Sequence, residues 1–292
     1  MKKQSLALWL ALAVGGMAGP LWAAAMIQNK GSDTLVNVAQ SLAEAYHTVR
    51  PEVAIAVTGG GSGTGIAALI NGTVQIANSS RMIEEKESHL AIRNGVYPRE
   101  LIIGYDALGV FVHKNNPLPE ISLAQLARMY GDGADISHWP QLGIQVPGCQ
   151  KQKIILLSRQ NNSGTYEYFR EAVLKKNDFL LGTHDMHGSK DVVDLVGKTP
   201  CAIGYSGMAY ASKATRMLPV KKDAHGTAVS PSVASAVDKS YPISRPLFMY
   251  SNGAPSGEIK AYLDWVLSPV GQCLVSKKGY APVRAVQCPP NG

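Results

Sequence analysis

The chain has 292 residues, 46% of them hydrophobic and 17% charged, with a formal charge of +7. That length supports one large or two medium domains with ample core. The basic residues are scattered, with only short pairs such as Lys175-Lys176, Lys221-Lys222 and Lys277-Lys278. Nucleic-acid binding would want a basic stripe or a recognisable module, and neither is present; a mildly basic surface does suit the capture of small anions.

The first 25 residues read as a secretory leader: Lys2 and Lys3 at its start, an apolar stretch from Leu6 to Val14, and small residues at Ala23-Ala24-Ala25 for cleavage. No cysteine stands near that point, so no lipoprotein anchor is expected, and no later segment is apolar for long enough to span a bilayer. A short strand over Ala25 to Gln28 follows. Asp33 is expected to cap a helix carrying Leu35, Val38, Leu42, Tyr46 and Val49 at helical spacing, ended by Pro51. Val53 to Val57 reads as a strand, Ile66 to Ile70 as a helix, Thr73 to Ala77 as a strand and Glu84 to Arg93 as a polar surface helix. Leu101 to Val112 is a long apolar run interrupted by Asp106 and closed by the turn signal His113 to Pro117. Helices are expected at Leu123 to Met129, Thr165 to Leu174, Val192 to Val196, Glu258 to Leu267 and Val270 to Val275. Strands are expected at Ile154 to Leu157, Ala202 to Tyr205 and Pro246 to Tyr250.

This alternation of strand and helix predicts α/β architecture with sheets covered on both faces. There is no internal repeat and no floppy linker. Two domains would therefore be joined through ordered strands, near Leu108 to Val112 and Pro242 to Leu247, making the first lobe discontinuous. The exported setting permits disulfides. Four cysteines allow three pairings, and sequence proximity favours Cys149 with Cys201 and Cys273 with Cys288.

Two glycine-rich turns carry the functional signal: Gly59 to Gly65, and Arg159 through Ser163-Gly164-Thr165. Each follows a strand and opens a helix. Glycine lets backbone amides face a ligand, and a helix N-terminus leaves amides unpaired and positively polarised. Both turns are thus suited to an anion. Ser62 and Thr64 add hydroxyl donors, and an arginine fork matches a tetrahedral oxyanion. The first turn has neither the lysine of a nucleotide-hydrolase loop nor the GxGxxG register of a dinucleotide site. GxSxG and SxxK are absent, and nothing places any of the seven histidines in a triad. His184 and His187 read as solvated loop residues, so no metal site is expected.

In order along the chain stand Gly31-Ser32-Asp33-Thr34-Leu35, the GGGSGTG turn, Ile76 to Arg81, Tyr105 to Leu108, and Ser158-Arg159 through Tyr166. Ala202 to Tyr205, Tyr241 to Leu247 and Gly279 to Pro282 complete the set. With these landmarks the chain resembles the periplasmic phosphate-binding proteins that serve ABC-type phosphate uptake. The resemblance implies a type II periplasmic-binding fold: two lobes, each with a central mixed sheet, joined by a two-strand hinge. Lobe I would hold residues 26–109 and 246–292, and lobe II residues 110–245. It implies a monomeric, periplasmic receptor without cofactor or catalysis, whose partners are inorganic phosphate and the permease and ATPase subunits of a transporter. Thr34, the Leu35 amide, Ser62, Arg159, Ser163 and the amides of Gly164 and Thr165 would contact the anion. Many members place an aspartate where this chain has Ser80, to accept the proton of hydrogen phosphate. Asp106 is expected to replace it, with Arg81 as a second cationic contact; a salt bridge of Asp106 with Arg81 or Arg159 is the alternative. Other oxyanions, or an exported phosphatase or adhesion protein on the same scaffold, stay open.

Overall fold

A computed structural model describes residues 25–289. The leader expected over residues 1–25 lies, Ala25 aside, outside the described residues. The first half runs β1 (Ala25–Gly31), α1 (Val36–Val49), β2 (Val53–Thr58), α2 (Ser62–Ile70), β3 (Ile76–Ser79), α3 (Glu85–Arg93), β4 (Pro98–His113), β5 (Ile121–Ser122) and α4 (Leu123–Tyr130). The second runs β6 (Ile155–Arg159), α5 (Gly164–Ala172), β7 (His184–Met186), α6 (Ser189–Lys198), β8 (Ala202–Gly207), β9 (Thr215–Met217), β10 (Val220–Lys221), α7 (Val233–Val237), β11 (Ser244–Asn252), α8 (Gly257–Val266) and α9 (Pro269–Lys277).

Two mixed sheets share one long strand. Over Pro98 to Ala107, β4 pairs antiparallel with β11; over Leu108 to Val112 it pairs antiparallel with β8. Beyond β11 come β3, β1 and β2, parallel to one another; beyond β8 come β6 and β7, also parallel. From Asp106 to Val112 every residue of β4 is buried, so the strand carries the chain from one sheet to the other as packed core.

Helices cover both faces of each sheet, as the strand–helix alternation requires. On one face of the first sheet, Leu35, Val38 and Leu42 pack against Ile27, Ile103 and Tyr262; on the other, Ile66 and Leu69 pack against Ala77 and Phe248. Each such Leu, Val or Ile contributes about 1.5–3 kcal/mol by leaving water. The second sheet is covered by α4 and α5, through Leu126 and Phe169, and by α6, through Val192 and Val196. Cys149 bonds Cys201 and Cys273 bonds Cys288, the pairings that proximity favoured.

Two local expectations are corrected. Asp33 does not cap α1: the helix starts at Val36 with Leu35 as its cap residue and no side-chain cap bond, because the Asp33 carboxylate is used elsewhere. Helix α2 begins at Ser62, inside the glycine turn and not after it; Gly61, at φ +92°, supplies the backbone reversal there. The pieces that sequence patterning missed (β5, β7, β9, β10 and α7) are two to five residues long, too short to show a period.

Candidate anion-binding site

Four helices begin at one place. Thr34 precedes α1, Ser62 is the first residue of α2, Gly164 the first of α5 and Ser189 the first of α6. Each follows a strand of one sheet or the other, so strand ends aim all four N-termini at the seam between the sheets. The positive ends of four macrodipoles converge there. Thr34, Ser62, Ser80, Ser163, Thr165 and Ser189 are all buried.

Their hydroxyls form two hydrogen-bonded groups. Thr34 Oγ1 lies 3.0 Å from Thr165 Oγ1 and 3.4 Å from Ser189 Oγ. Ser32 Oγ donates to Ser80 Oγ at 2.9 Å, and the Ser80 amide donates to Ser62 Oγ at 3.1 Å. Ser163 accepts from the amides of Thr165 and Tyr166 and so caps α5. The Leu35 amide donates to Ser32 O at 3.0 Å, inside its own turn.

The two glycine turns meet directly. The Gly63 amide donates to Asn162 O at 3.0 Å, and Asn162 Nδ2 donates to Gly60 O at 3.0 Å. A Cβ on Gly61 would stand 2.6 Å from Asn162 O, and one on Gly164 would fall on the Ser62 and Ser80 hydroxyls. The absent side chains are what let the turns approach.

Three arginines surround the cluster, each with a carboxylate. Arg159 Nη2 donates to Asp33 Oδ2 at 3.0 Å and to His187 O at 2.8 Å, Nη1 to Ser189 Oγ at 2.9 Å and Nε to Met186 O at 3.3 Å. Burial pulls its guanidinium below the ordinary value, and Asp33 opposes this. Arg81 stands apart: its guanidinium donates to both Glu87 oxygens and to Met82 O, and Glu84 lies 3.3 Å away. It lines a cleft of about 700 Å³ with Glu84, Glu167, Tyr168 and Phe248. Arg81 is therefore not the partner of Asp106.

Nor is Arg159. The partner is Arg245, which sequence reasoning did not place in the site. Arg245 and Asp106 face each other in the β11–β4 ladder. Nε and Nη2 donate to Asp106 Oδ2 at 3.0 and 2.8 Å, while Met208 N donates to Oδ1 at 3.0 Å. Arg245 also reaches Thr165 Oγ1 at 3.1 Å, Thr34 Oγ1 at 3.4 Å and Ser80 O at 3.3 Å. Burial pushes the Asp106 carboxyl up, and Arg245 and the Met208 amide pull against it. A signal was present: Arg245 interrupts the apolar run Tyr241 to Tyr250 as Asp106 interrupts Leu101 to Val112, and a buried charge requires a partner.

Two sheets sharing a crossing strand, with a buried donor cluster at their seam, define a two-lobed solute-binding protein. A family model described as a PBP superfamily domain matches residues 18–270. The chain is 33% identical over 270 residues to the phosphate-binding protein PstS of Pseudomonas aeruginosa, covering 89% of this chain and 83% of that one. It is 29% identical to Protein SphX of Synechococcus elongatus, over 89% of this chain and 78% of that one. Among solved structures it is similar to a putative phosphate ABC transporter substrate-binding protein with bound phosphate from Clostridium perfringens. That match has 27% identity and a TM-score of 0.79, over 89% of this chain and 100% of that one. The chain belongs to the PstS family of phosphate-binding proteins within the PBP superfamily.

Proposed function

We propose that this chain captures inorganic phosphate between two lobes in the periplasm and delivers it to an ABC-type phosphate permease. The observation that carries this reading is the meeting of four helix N-termini and a set of buried hydroxyls at the seam of two sheets. Such a set supplies many donors to one small anion. The names of the relatives, phosphate-binding proteins and a phosphate-bound transporter component, support the choice of phosphate.

In this reading lobe I comprises residues 26–109 and 246–292, and lobe II residues 110–245. The hinge is formed by β4 and β11. Thr34, Ser62, Ser80, Thr165 and the Gly164 amide turn toward the anion, and Ser163 holds the α5 terminus in place. The chain works as a monomer, after its leader is removed near Ala23 to Ala25. It makes and breaks no covalent bond, so it is not an enzyme. The permease and the ATPase are separate proteins.

The test is thermal unfolding of the mature protein, stripped of anions, against added phosphate and against a phosphate monoester. A ligand bound only by the folded state stabilises it by about 2.7 kcal/mol at a hundred times its Kd. Phosphate should raise the midpoint and the monoester should not. Equal shifts from both would contradict an enclosed site.

A further inference from the structure

We propose that Arg245 is a cation that meets the bound oxyanion, and that Asp106 is its fixed counter-charge and not the acceptor of the ligand's proton. This rests on the oxyanion-site reading above and departs from the sequence expectation for Asp106.

The contacts of the three arginines separate their roles. Arg81 is committed to Glu87 and Glu84. Arg159 is committed to a carboxylate and two main-chain carbonyls, with a single bond to Ser189 reaching toward the cluster. Arg245 is divided. One edge of its guanidinium grips Asp106; the other meets the hydroxyls of Thr34 and Thr165. Those two hydroxyls come from the turn before α1 on one sheet and from α5 on the other. Hydroxyls rotate, accepting from a guanidinium or donating to an anion. When an anion enters between Thr34 and Thr165, both can turn to donate, and the N–H groups of Arg245 that they accepted become available to the same anion. Arg81 cannot release donors so readily, because carboxylates and carbonyls cannot reverse; Arg159 can release only the Nη1 donor that the Ser189 hydroxyl accepts.

Asp106 has no comparable freedom. Oδ2 already accepts two N–H groups from Arg245 and Oδ1 accepts the Met208 amide, which uses three of about four acceptor positions. Gly207 packs over it: a Cβ there would lie 3.2 Å from Oδ2 and 3.1 Å from the Thr34 methyl. The carboxylate is turned to the guanidinium and walled by backbone. Its work is to orient Arg245 and to balance a cation that is 1% exposed. Asp106 is thus a positioning residue, and Arg245 a ligand contact.

The two assignments separate in the selectivity of Asp106→Asn. A proton acceptor, once lost, should weaken phosphate and relax its preference over sulfate. A counter-charge that orients Arg245, once lost, should weaken both anions by the same factor and keep the preference. The experiment is calorimetry with phosphate and with sulfate on wild type, Asp106→Asn and the charge-neutral double variant Arg245→Gln/Asp106→Asn. Circular dichroism checks the fold of each. We expect Asp106→Asn to weaken phosphate and sulfate by the same factor, leaving the phosphate-to-sulfate ratio unchanged. We expect the double variant to bind roughly 10- to 100-fold more weakly, the loss of one charge-assisted contact. A loss of less than tenfold in a folded double variant, or weaker phosphate with stronger sulfate in Asp106→Asn, would overturn the assignment while the receptor reading stands. If wild type binds no phosphate, both fall together. Should the double variant not fold, Asp106→Asn decides alone.

Discussion

Asp33 and Arg159 join the two lobes: Arg159 Nη2, at the end of β6, donates to Asp33 Oδ2, in the turn before α1, at 3.0 Å. Arg159 is 1% exposed at its side chain and Asp33 21%, so the pair is screened only on one side. Asp33 Oδ1 also accepts the Gly60 amide at 2.9 Å, which ties the carboxylate to the first glycine turn. Removing one partner of a buried pair costs about 3–5 kcal/mol; the partial exposure of Asp33 lowers this to roughly 1–3 kcal/mol. We expect Asp33→Ala to lower the unfolding midpoint. In small-angle scattering without anion it should have a larger radius of gyration than wild type, returning to the wild-type value with phosphate. An unchanged radius would mean that the pair does not hold the lobes together.

Gly164→Ala places a methyl group on the buried Ser62 and Ser80 hydroxyls, and overpacking of this kind costs about 1–3 kcal/mol. Stability and binding should therefore both fall. We expect a lower unfolding midpoint and a phosphate affinity reduced on the order of 100-fold, the effect of misplacing donors by about an ångström. Undiminished binding would show that the two turns need not approach this closely around the ligand.

The Cys149–Cys201 bond closes a loop with a sequence separation of 52, and Cys273–Cys288 one with a separation of 15. Loop-closure entropy gives about 4 kcal/mol for the first and about 3 kcal/mol for the second. Cys201 also sits under Trp139, whose Nε1 donates to Cys201 O at 3.2 Å. Reduction of both bonds should lower the unfolding midpoint most; of the two single losses, that of Cys149–Cys201 should lower it more. Phosphate binding below that midpoint should persist, since neither bond touches the hydroxyl cluster.

Alkaline stability has a definite sign. Burial pushes the Tyr168 phenol up to about 12, and Arg245, 5.6 Å from the ring, opposes this. In the unfolded chain the value is about 10. Between the two the folded state keeps a proton that the unfolded state releases, so the contribution is fully present below pH about 10 and is lost as pH rises through about 12. The shift is worth at most about 3 kcal/mol. Tyr168 donates to Ser244 O at 2.6 Å, at the start of β11. Tyr168→Phe should lower stability at pH 8 and flatten its fall between pH 10 and 12, as read by urea unfolding at each pH. A slope equal to that of wild type would mean that Tyr168 does not contribute to it.

The fold was legible because its elements obey simple periods. Leu35, Val38, Leu42 and Tyr46 mark α1, and the unbroken apolar runs around Asp106 and Ala202 to Tyr205 mark strands buried on both faces. The two turns were legible because glycine clusters between a strand and a helix have few other uses. What could not be read was partnership. Asp33 looks like a helix cap in sequence, yet its partner is Arg159, 126 residues away. Asp106 announces a buried charge without saying whose; its partner Arg245 lies 139 residues later and is adjacent only because β4 and β11 pair. Ser189 was hidden because it opens a helix after a three-residue strand, too short for any pattern. Arg81, beside Ser80 in sequence, turns to Glu87 on the following helix, a bidentate carboxylate partner that the sequence alone does not single out.

The most direct measurement is titration calorimetry of the mature, anion-stripped protein with phosphate. We expect one phosphate per chain, bound tightly. Binding should survive Arg81→Gln and fall with Thr34→Val or Thr165→Val, which remove one hydroxyl each while nearly keeping shape. Absence of phosphate binding, or binding that fails with Arg81→Gln but is indifferent to both threonine variants, would contradict a site built from the hydroxyls at the seam.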